Sequence, residues 1–273
     1  MNRQPASFVN VNGQRLHFRD SGGEGPAIVF SHGLLMDQEM FDPQVAFLAG
    51  RYRTIVWDER CHGDTVTSPE PFSYWDSAAD LVGLLDHVGI ERAVLAGMSQ
   101  GGFLSQRAAI RYPDRVAGLF LIATQAGPEE PEKVESYRRM LDWVERDGVD
   151  ALLAEATATI ILGEGWEGAG PWMAKWMERP ARLWRQAFET LIGREDLSPR
   201  LAEISAPAAA VHGDSDLAIP VAKAEALCAG IAGCVGLTVV PGGGHAVNLT
   251  HPDPVNRVLD EFLYGLKIGS AWA

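Results

Sequence analysis

The segment Ala93-Val94-Leu95-Ala96-Gly97-Met98-Ser99-Gln100-Gly101-Gly102 combines an apolar run, a serine between glycines and the start of a helical pattern. Its first four residues form an apolar run that predicts a buried strand, and residues 100–111 carry a helical pattern. Gly97 and Gly101 surround Ser99 between the two elements. Because glycine adopts backbone angles that other residues avoid, the pattern predicts a tight turn that lifts the Ser99 hydroxyl above a sheet edge. A purely structural Ser-Gly turn is the alternative interpretation.

Apolar runs and helical patterns alternate on both sides of this turn. Strands are predicted at 7–11, 15–20, 27–31, 54–57, 93–96, 116–122, 208–212 and 236–240. Helices are predicted at 40–49, 77–88, 100–111, 221–229 and 254–266. Short apolar strands that alternate with helices predict an α/β fold with a doubly wound, mostly parallel sheet.

The alternation stops near Thr124 and resumes near Pro207. The residues between them carry helical patterns at 132–146, 149–162, 171–178 and 181–192. We therefore predict a core domain formed by residues 1–124 and 207–273, with a helical cap inserted at 125–206. Most of the tryptophans of the chain lie in this cap, where we expect them to pack the cap and to line an apolar substrate pocket together with Met98. These tryptophans are Trp143, Trp166, Trp172, Trp176 and Trp184.

The composition excludes several classes of partner. The chain of 273 residues has a formal net charge of −13 and a sequence pI near 4.9. An acidic surface repels phosphate backbones and anionic lipids, so we expect neither nucleic acid nor a membrane surface as a partner. No apolar run reaches the roughly 18 residues of a membrane span, and residues 1–20 lack the apolar core of a signal peptide.

The cysteines also indicate the compartment of the protein. Cys61, Cys228 and Cys234 are too few and odd in number for a disulfide framework. Cys228 and Cys234 are too far apart for a CxxC redox or zinc pair, so we expect both to be small buried apolar residues. Together these absences predict a cytoplasmic protein.

A serine hydroxyl becomes a good nucleophile when a base removes its proton. His245 follows the predicted strand at 236–240, which places it at the same sheet edge as Ser99, whereas His32 and His62 lie in loops that we expect to shape the site. Asp214 and Asp216 follow the strand at 208–212, and either carboxylate could orient the imidazole. The chain order serine, aspartate, histidine is typical of one hydrolase fold.

The same turn predicts donors for a developing oxyanion. The backbone N–H of Gln100 opens the helix after Ser99, and we choose the N–H of Leu34, in the loop after the strand at 27–31, as the second donor. The sequence contains no glycine-rich nucleotide fingerprint, P-loop or HExxH motif, so neither a cofactor nor a metal is implied.

These motifs together resemble the α/β-hydrolase superfamily over nearly the whole chain. The resemblance is strongest to the capped bacterial branch of esterases, enol-lactonases, metal-free haloperoxidases and C–C bond hydrolases. In that family the acid is the Asp of G-x-x-D-x-x-x-P, which here implies Asp216 rather than Asp214. Cys61 departs from the family, which usually has glycine there. The stretches that carry the resemblance are His32-Gly33-Leu34, 58–63, 97–101, 213–220 and Gly244-His245.

The expected function is that of a serine hydrolase which cleaves a carboxylic ester or lactone of a small hydrophobic, bulky or aromatic molecule through an acyl-enzyme. Ser99, His245 and Asp216 would form the catalytic triad. One alternative is a hydrolase that cleaves a C–C bond next to a ketone with the same triad, and another is a ligand-sensing protein with slow turnover. The sequence leaves the oligomeric state open, with a homodimer among the options.

Overall fold

The computed structural model describes residues 6–268, which form one eight-stranded sheet with flanking helices. The strands are β1 (Ala6–Val11), β2 (Gln14–Asp20), β3 (Ala27–Ser31), β4 (Arg53–Trp57), β5 (Ala93–Met98), β6 (Val116–Ile122), β7 (Ala208–Gly213) and β8 (Cys234–Val240). The helices are α1 (Asp42–Leu48), α2 (Tyr74–His87), α3 (Gln100–Arg111), α4 (Pro131–Asp147), α5 (Ala151–Leu162), α6 (Ala169–Glu178), α7 (Ala181–Ile192), α8 (Val221–Gly230), α9 (Val247–Thr250) and α10 (Pro252–Ile268).

The sheet has the order β1-β2-β4-β3-β5-β6-β7-β8. β1 and β2 form its antiparallel end, and every neighbour pair from β4 to β8 is parallel. Strands β3, β5, β6 and β7 bury all their residues, as parallel strands do when helices cover both faces of a sheet. The prediction of a mostly parallel α/β sheet is confirmed.

Helices α1 and α2 begin at other residues than the pattern predicts. Residues 38–41 form a 3-10 turn, and α1 starts only at Asp42, with Pro43 in the first turn where its missing N–H costs no hydrogen bond. Helix α2 starts three residues early because Ser73 caps it. The Ser73 N–H donates to Asp76 Oδ2 at 2.7 Å in a capping box.

The chain between β6 and β7 forms four helices, α4 to α7. Trp184 of α7 is fully buried among them and stacks on Phe188, with ring centroids 5.9 Å apart. Tyr137 of α4 packs on the same phenylalanine at 5.1 Å. The helices lie where the cap was expected, and the division into core and cap domains stays a prediction. Within residues 6–268, no helix is long and apolar enough to cross a membrane.

The expectation that Cys228 and Cys234 are buried and unpaired is wrong. The two residues form a disulfide, with Cα atoms 5.5 Å apart, and both are only half-buried. The six-residue spacing hid this pairing, because a short turn brings the end of α8 beside the start of β8. Cys61 is the free cysteine and is fully buried, and burial raises the pKa of its thiol to about 11.

We expect thiol titration with an aromatic disulfide reagent to distinguish the buried thiol of Cys61 from the Cys228–Cys234 disulfide. The folded protein should show no rapidly reacting thiol, because Cys61 is buried and protonated. Denaturation without a reductant should release one thiol per chain, and prior reduction should release all three. Three thiols in the unreduced denatured protein would contradict the Cys228–Cys234 pairing.

Candidate active site

Ser99 lies on the sharp turn between β5 and α3, as the glycine pattern predicts. Its φ of +51° lies in the left-handed region, which non-glycine residues rarely adopt. The neighbouring backbones leave no room for side chains: a Cβ on Gly97 would lie 2.2 Å from Gly101 O, and one on Gly101 would lie 2.0 Å from Ser31 O. The glycines therefore let the strand, the turn and the helix pack closely enough to hold Ser99 in this conformation.

Three predicted residues meet at the carboxyl edge of the sheet. His245, in the loop after β8, places Nε2 3.0 Å from Ser99 Oγ. Its Nδ1 lies 2.8 Å from Oδ2 of Asp216, which follows β7. The structure thus brings together a hydroxyl, an imidazole and a carboxylate in hydrogen-bond contact, an arrangement that can move a proton from the hydroxyl to the ring.

Asp216, not Asp214, contacts the histidine. The other oxygen of Asp216 accepts the backbone N–H groups of Ala218 and Ile219 at 2.8 and 2.9 Å. Burial alone would raise the pKa of this carboxyl, but His245, His212 and the Ile219 N–H hold it well below its usual range. Asp214 is exposed and instead accepts the Gly242 N–H at 2.7 Å.

A cavity of about 120 Å³ opens beside Ser99 and His245. Its wall is mostly apolar, with contributions from α4, α5 and α7 on one side and from the loop after β3 on the other. Met98 and Leu34 line the cavity. The Gln100 N–H is the first backbone N–H of α3, so it has no acceptor within that helix. The main apolar side chains of the wall are Leu34, Leu35, Met36, Met98, Phe103, Met140, Ile160, Ile161, Phe188 and Leu191.

Two buried histidines hold the loop that contains Leu34. Leu35 has a φ of +63°, and its N–H donates to His62 Nε2 at 3.1 Å. His32 Nε2 accepts the Glu59 N–H at 3.0 Å, and its Nδ1 lies 2.8 Å from Gly33 O. Burial lowers the pKa of His32 to about 4 and that of His62 well below the usual value. Both rings are therefore neutral at pH 7, and each can accept one backbone N–H.

Helix α6 also contacts this loop. Trp176 of α6 donates its indole N–H to Leu35 O at 2.7 Å. Beside it, the Lys175 ammonium contacts Asp37 and Glu39 at 2.6 and 2.8 Å. Helix α6 therefore fixes the backbone of the loop in addition to packing on it.

The structure corrects the expectation that the cap tryptophans line the pocket, because none of the five borders the cavity beside Ser99. Trp143 is 45% exposed on an outer surface, and Trp166 packs against Gly168. Trp172 lies under the Lys175 ammonium, 4.5 Å from its ring centroid. Trp176 and Trp184 are buried between elements. Of the five, Trp176 joins its helix to the loop after β3, and Trp184 packs on Phe188 of the same helix.

Sequence reasoning missed two polar groups of the cavity, Gln125 and Glu129, which both line it. They belong to the segment between β6 and α4, which has no periodicity that would assign its side chains to a face. Cys61, the departure from the glycine of the family pattern, has a φ of +64°, so its backbone keeps the conformation that glycine would favour.

In one class of α/β proteins, a serine, a histidine and an aspartate follow the ends of three strands of a parallel sheet and form a serine-centred site. This chain has that arrangement. Residues 26–252 match the family model described as the alpha/beta hydrolase fold, and the chain belongs to that family.

The relatives agree with this assignment. The chain is 27% identical over 240 residues to 3-oxoadipate enol-lactonase 2 of Acinetobacter baylyi, covering 86% of this chain and 87% of that protein. It superposes on a thermophilic esterase from Thermogutta terrifontis with a TM-score of 0.87 and 27% identity, covering 96% of this chain and 99% of the esterase. The enol-lactonase from Burkholderia xenovorans gives a TM-score of 0.86 and 27% identity, with 94% and 100% coverage.

The hydrogen bond of Trp176 can be isolated by comparing it with Trp184. Both side chains are essentially buried, at 1% and 0% exposure, but the Trp184 indole nitrogen has no partner within the described residues. Trp176→Phe should leave Leu35 O without its donor and lower the free energy of unfolding by about 1–2 kcal/mol more than Trp184→Phe. Urea denaturation measures both losses. Equal losses would mean that the bond to Leu35 adds nothing to stability.

Proposed function

We propose that the protein is a serine hydrolase which cleaves a carboxylic ester or lactone bond of a small hydrophobic molecule through an acyl-enzyme. The observation that carries the proposal is the continuous contact from Ser99 Oγ through His245 to Asp216 at the edge of an apolar cavity. The names of the relatives, esterase and enol-lactonase, favour an ester or lactone over a C–C bond next to a ketone.

Each residue has one role in the proposed reaction. Ser99 Oγ attacks the carbonyl carbon while His245 Nε2 takes the hydroxyl proton, and Asp216 stabilises the imidazolium that results. The backbone N–H groups of Leu34 and Gln100 donate to the oxyanion of the tetrahedral intermediate. The intermediate collapses to the acyl-enzyme when His245 returns the proton to the leaving alkoxide. Water then attacks the acyl carbon with the same proton transfers, and the acid is released.

The cavity wall indicates the chemical character of the proposed substrate. Met98 and the apolar side chains of the cavity would hold the hydrophobic part of the substrate. The proposed partner is thus a small molecule rather than nucleic acid or a membrane. The proposed compartment is the cytoplasm, but the cysteines no longer support it, because Cys228 and Cys234 form a disulfide. The oligomeric state is not part of the proposal.

Removing the nucleophile tests the proposal most directly. We expect Ser99→Ala to lower kcat for 4-nitrophenyl butyrate at least about a thousandfold, because the acyl-enzyme can no longer form. Ser105→Ala is the matched control, since Ser105 is buried like Ser99 but lies within α3, where its hydroxyl donates to Gly101 O. Release of 4-nitrophenol measures both rates. Undiminished turnover by Ser99→Ala would overturn the assignment.

The two aspartates after β7 offer a matched pair. Asp216→Asn should lower kcat by a factor of about a thousand or more, because an amide cannot stabilise the imidazolium that forms at His245. Asp214→Asn should retain activity, since an amide oxygen can still accept the Gly242 N–H. The same ester assay decides between them, and a larger loss for Asp214→Asn would mean that the acid is misassigned.

A further inference from the structure

The catalytic cavity contains one carboxylate that the proposed chemistry does not use. Glu129 lies in the segment between β6 and α4 and lines the cavity that Ser99 and His245 also line. Its side chain is only 7% exposed. A buried carboxylate in an apolar wall loses its hydration, so it is stable only when other donors replace the lost water.

Arg194 supplies part of that replacement. Its Nη1 donates to Glu129 Oε2 at 2.9 Å, and its side chain is only 1% exposed. The guanidinium is held in turn by Gly127 O and Leu191 O, each at 3.0 Å, and lies 4.5 Å from the ring centroid of Phe103. Glu129 is therefore fixed in one position, with its charge balanced by a neighbour that does not itself line the cavity.

The second oxygen of Glu129 has no such partner. Oε1 makes no hydrogen bond to any residue in the described part of the chain, and it is not among the fully buried atoms. The other side chains that line the cavity are mostly apolar; besides Ser99 and His245, the polar ones are Gln125, Tyr137 and Thr157. A fixed acceptor at an otherwise apolar surface favours a ligand that brings a donor to it.

We propose that Glu129 binds a neutral hydrogen-bond donor of the substrate, so that the substrate is a hydrophobic ester or lactone carrying a hydroxyl or amide N–H group away from the scissile bond. The choice of scissile bond rests on the proposed function. A neutral donor fits because Arg194 already balances the carboxylate, and an ammonium group would add a third buried charge. A substrate carboxylate would meet like charge at this position.

The test compares hydroxyl with methoxy groups at matched positions. In the first series, each 4-nitrophenyl ester carries a hydroxyl or a methoxy group on one carbon of the acyl chain, and the position varies from ester to ester. In the second series, acetate esters carry the same groups on the alcohol chain. The methoxy group is polar but cannot donate. For at least one position, wild-type kcat/KM should be about tenfold or more higher for the hydroxy ester, as expected for a hydrogen bond to a charged group.

The variant Glu129→Gln tests the residue. Its amide can accept from Arg194 and present an N–H to the cavity, so the preference for hydroxy over methoxy esters should vanish or reverse. Glu130→Gln is the matched control, because Glu130 is exposed and lies 3.5 Å from Lys223 on the surface. It should keep the wild-type preference. If Glu129→Gln does not fold, the double variant Glu129→Met, Arg194→Met removes both charges together and should lose the preference.

The outcomes separate this inference from the proposed function. Equal kcat/KM for all pairs, an unchanged preference in Glu129→Gln, or a stronger preference for the corresponding ammonium esters would each overturn the role of Glu129 while leaving the hydrolase intact. Absence of any ester turnover would count against the proposed function instead. In that case, calorimetric titration of Ser99→Ala with the same esters measures the preference as a ratio of Kd values without turnover, and equal Kd values would overturn the inference.

Discussion

The turn at Ser99 packs so closely against the end of β3 that only glycine fits at position 101. Gly101 stands against the Ser31 backbone, and the Gly101 N–H donates to His32 O at 3.1 Å. This contact joins the turn of the proposed nucleophile to the loop that contains Leu34. The two proposed oxyanion donors, which come from elements far apart in sequence, therefore share one rigid backbone unit.

The sheet and the triad geometry could be predicted because both depend on backbone rules. The apolar composition of a short strand indicates that the strand is buried. Residues after the carboxyl ends of parallel strands must meet at one edge of the sheet, which brings Ser99, Asp216 and His245 together. The family pattern was needed to choose Asp216 over Asp214, since both follow β7. The structure gives the physical difference: Asp216 turns inward onto two backbone N–H groups, whereas Asp214 stays in solvent.

The packing of the helices between β6 and β7, and the disulfide, could not be predicted in the same way. Helical periodicity shows that Trp172 and Trp176 share a face but not what that face packs against, so it does not predict the hydrogen bond from Trp176 to Leu35 O. Glu129 lies outside any periodic element, and its burial depends on Arg194, 65 residues further along the chain. The Cys228–Cys234 pair likewise depends on where a helix ends relative to a strand. Each of these features is set by tertiary contact rather than by local pattern.

The four helices between β6 and β7 contact both the loop after β3 and the cavity. Helix α6 holds the loop after β3 through Trp176 and Lys175, while α4, α5 and α7 supply the cavity wall. Helices α5 and α7 also bind the core, since Ile161 O accepts the Ala246 N–H at 2.7 Å and the Thr190 hydroxyl donates to Phe72 O at 3.1 Å. Wall residues such as Met140 or Ile160 can be exchanged during evolution without disturbing the loop backbone. Side chains of the wall can therefore change the shape of the cavity while the backbone around Ser99 keeps its hydrogen bonds.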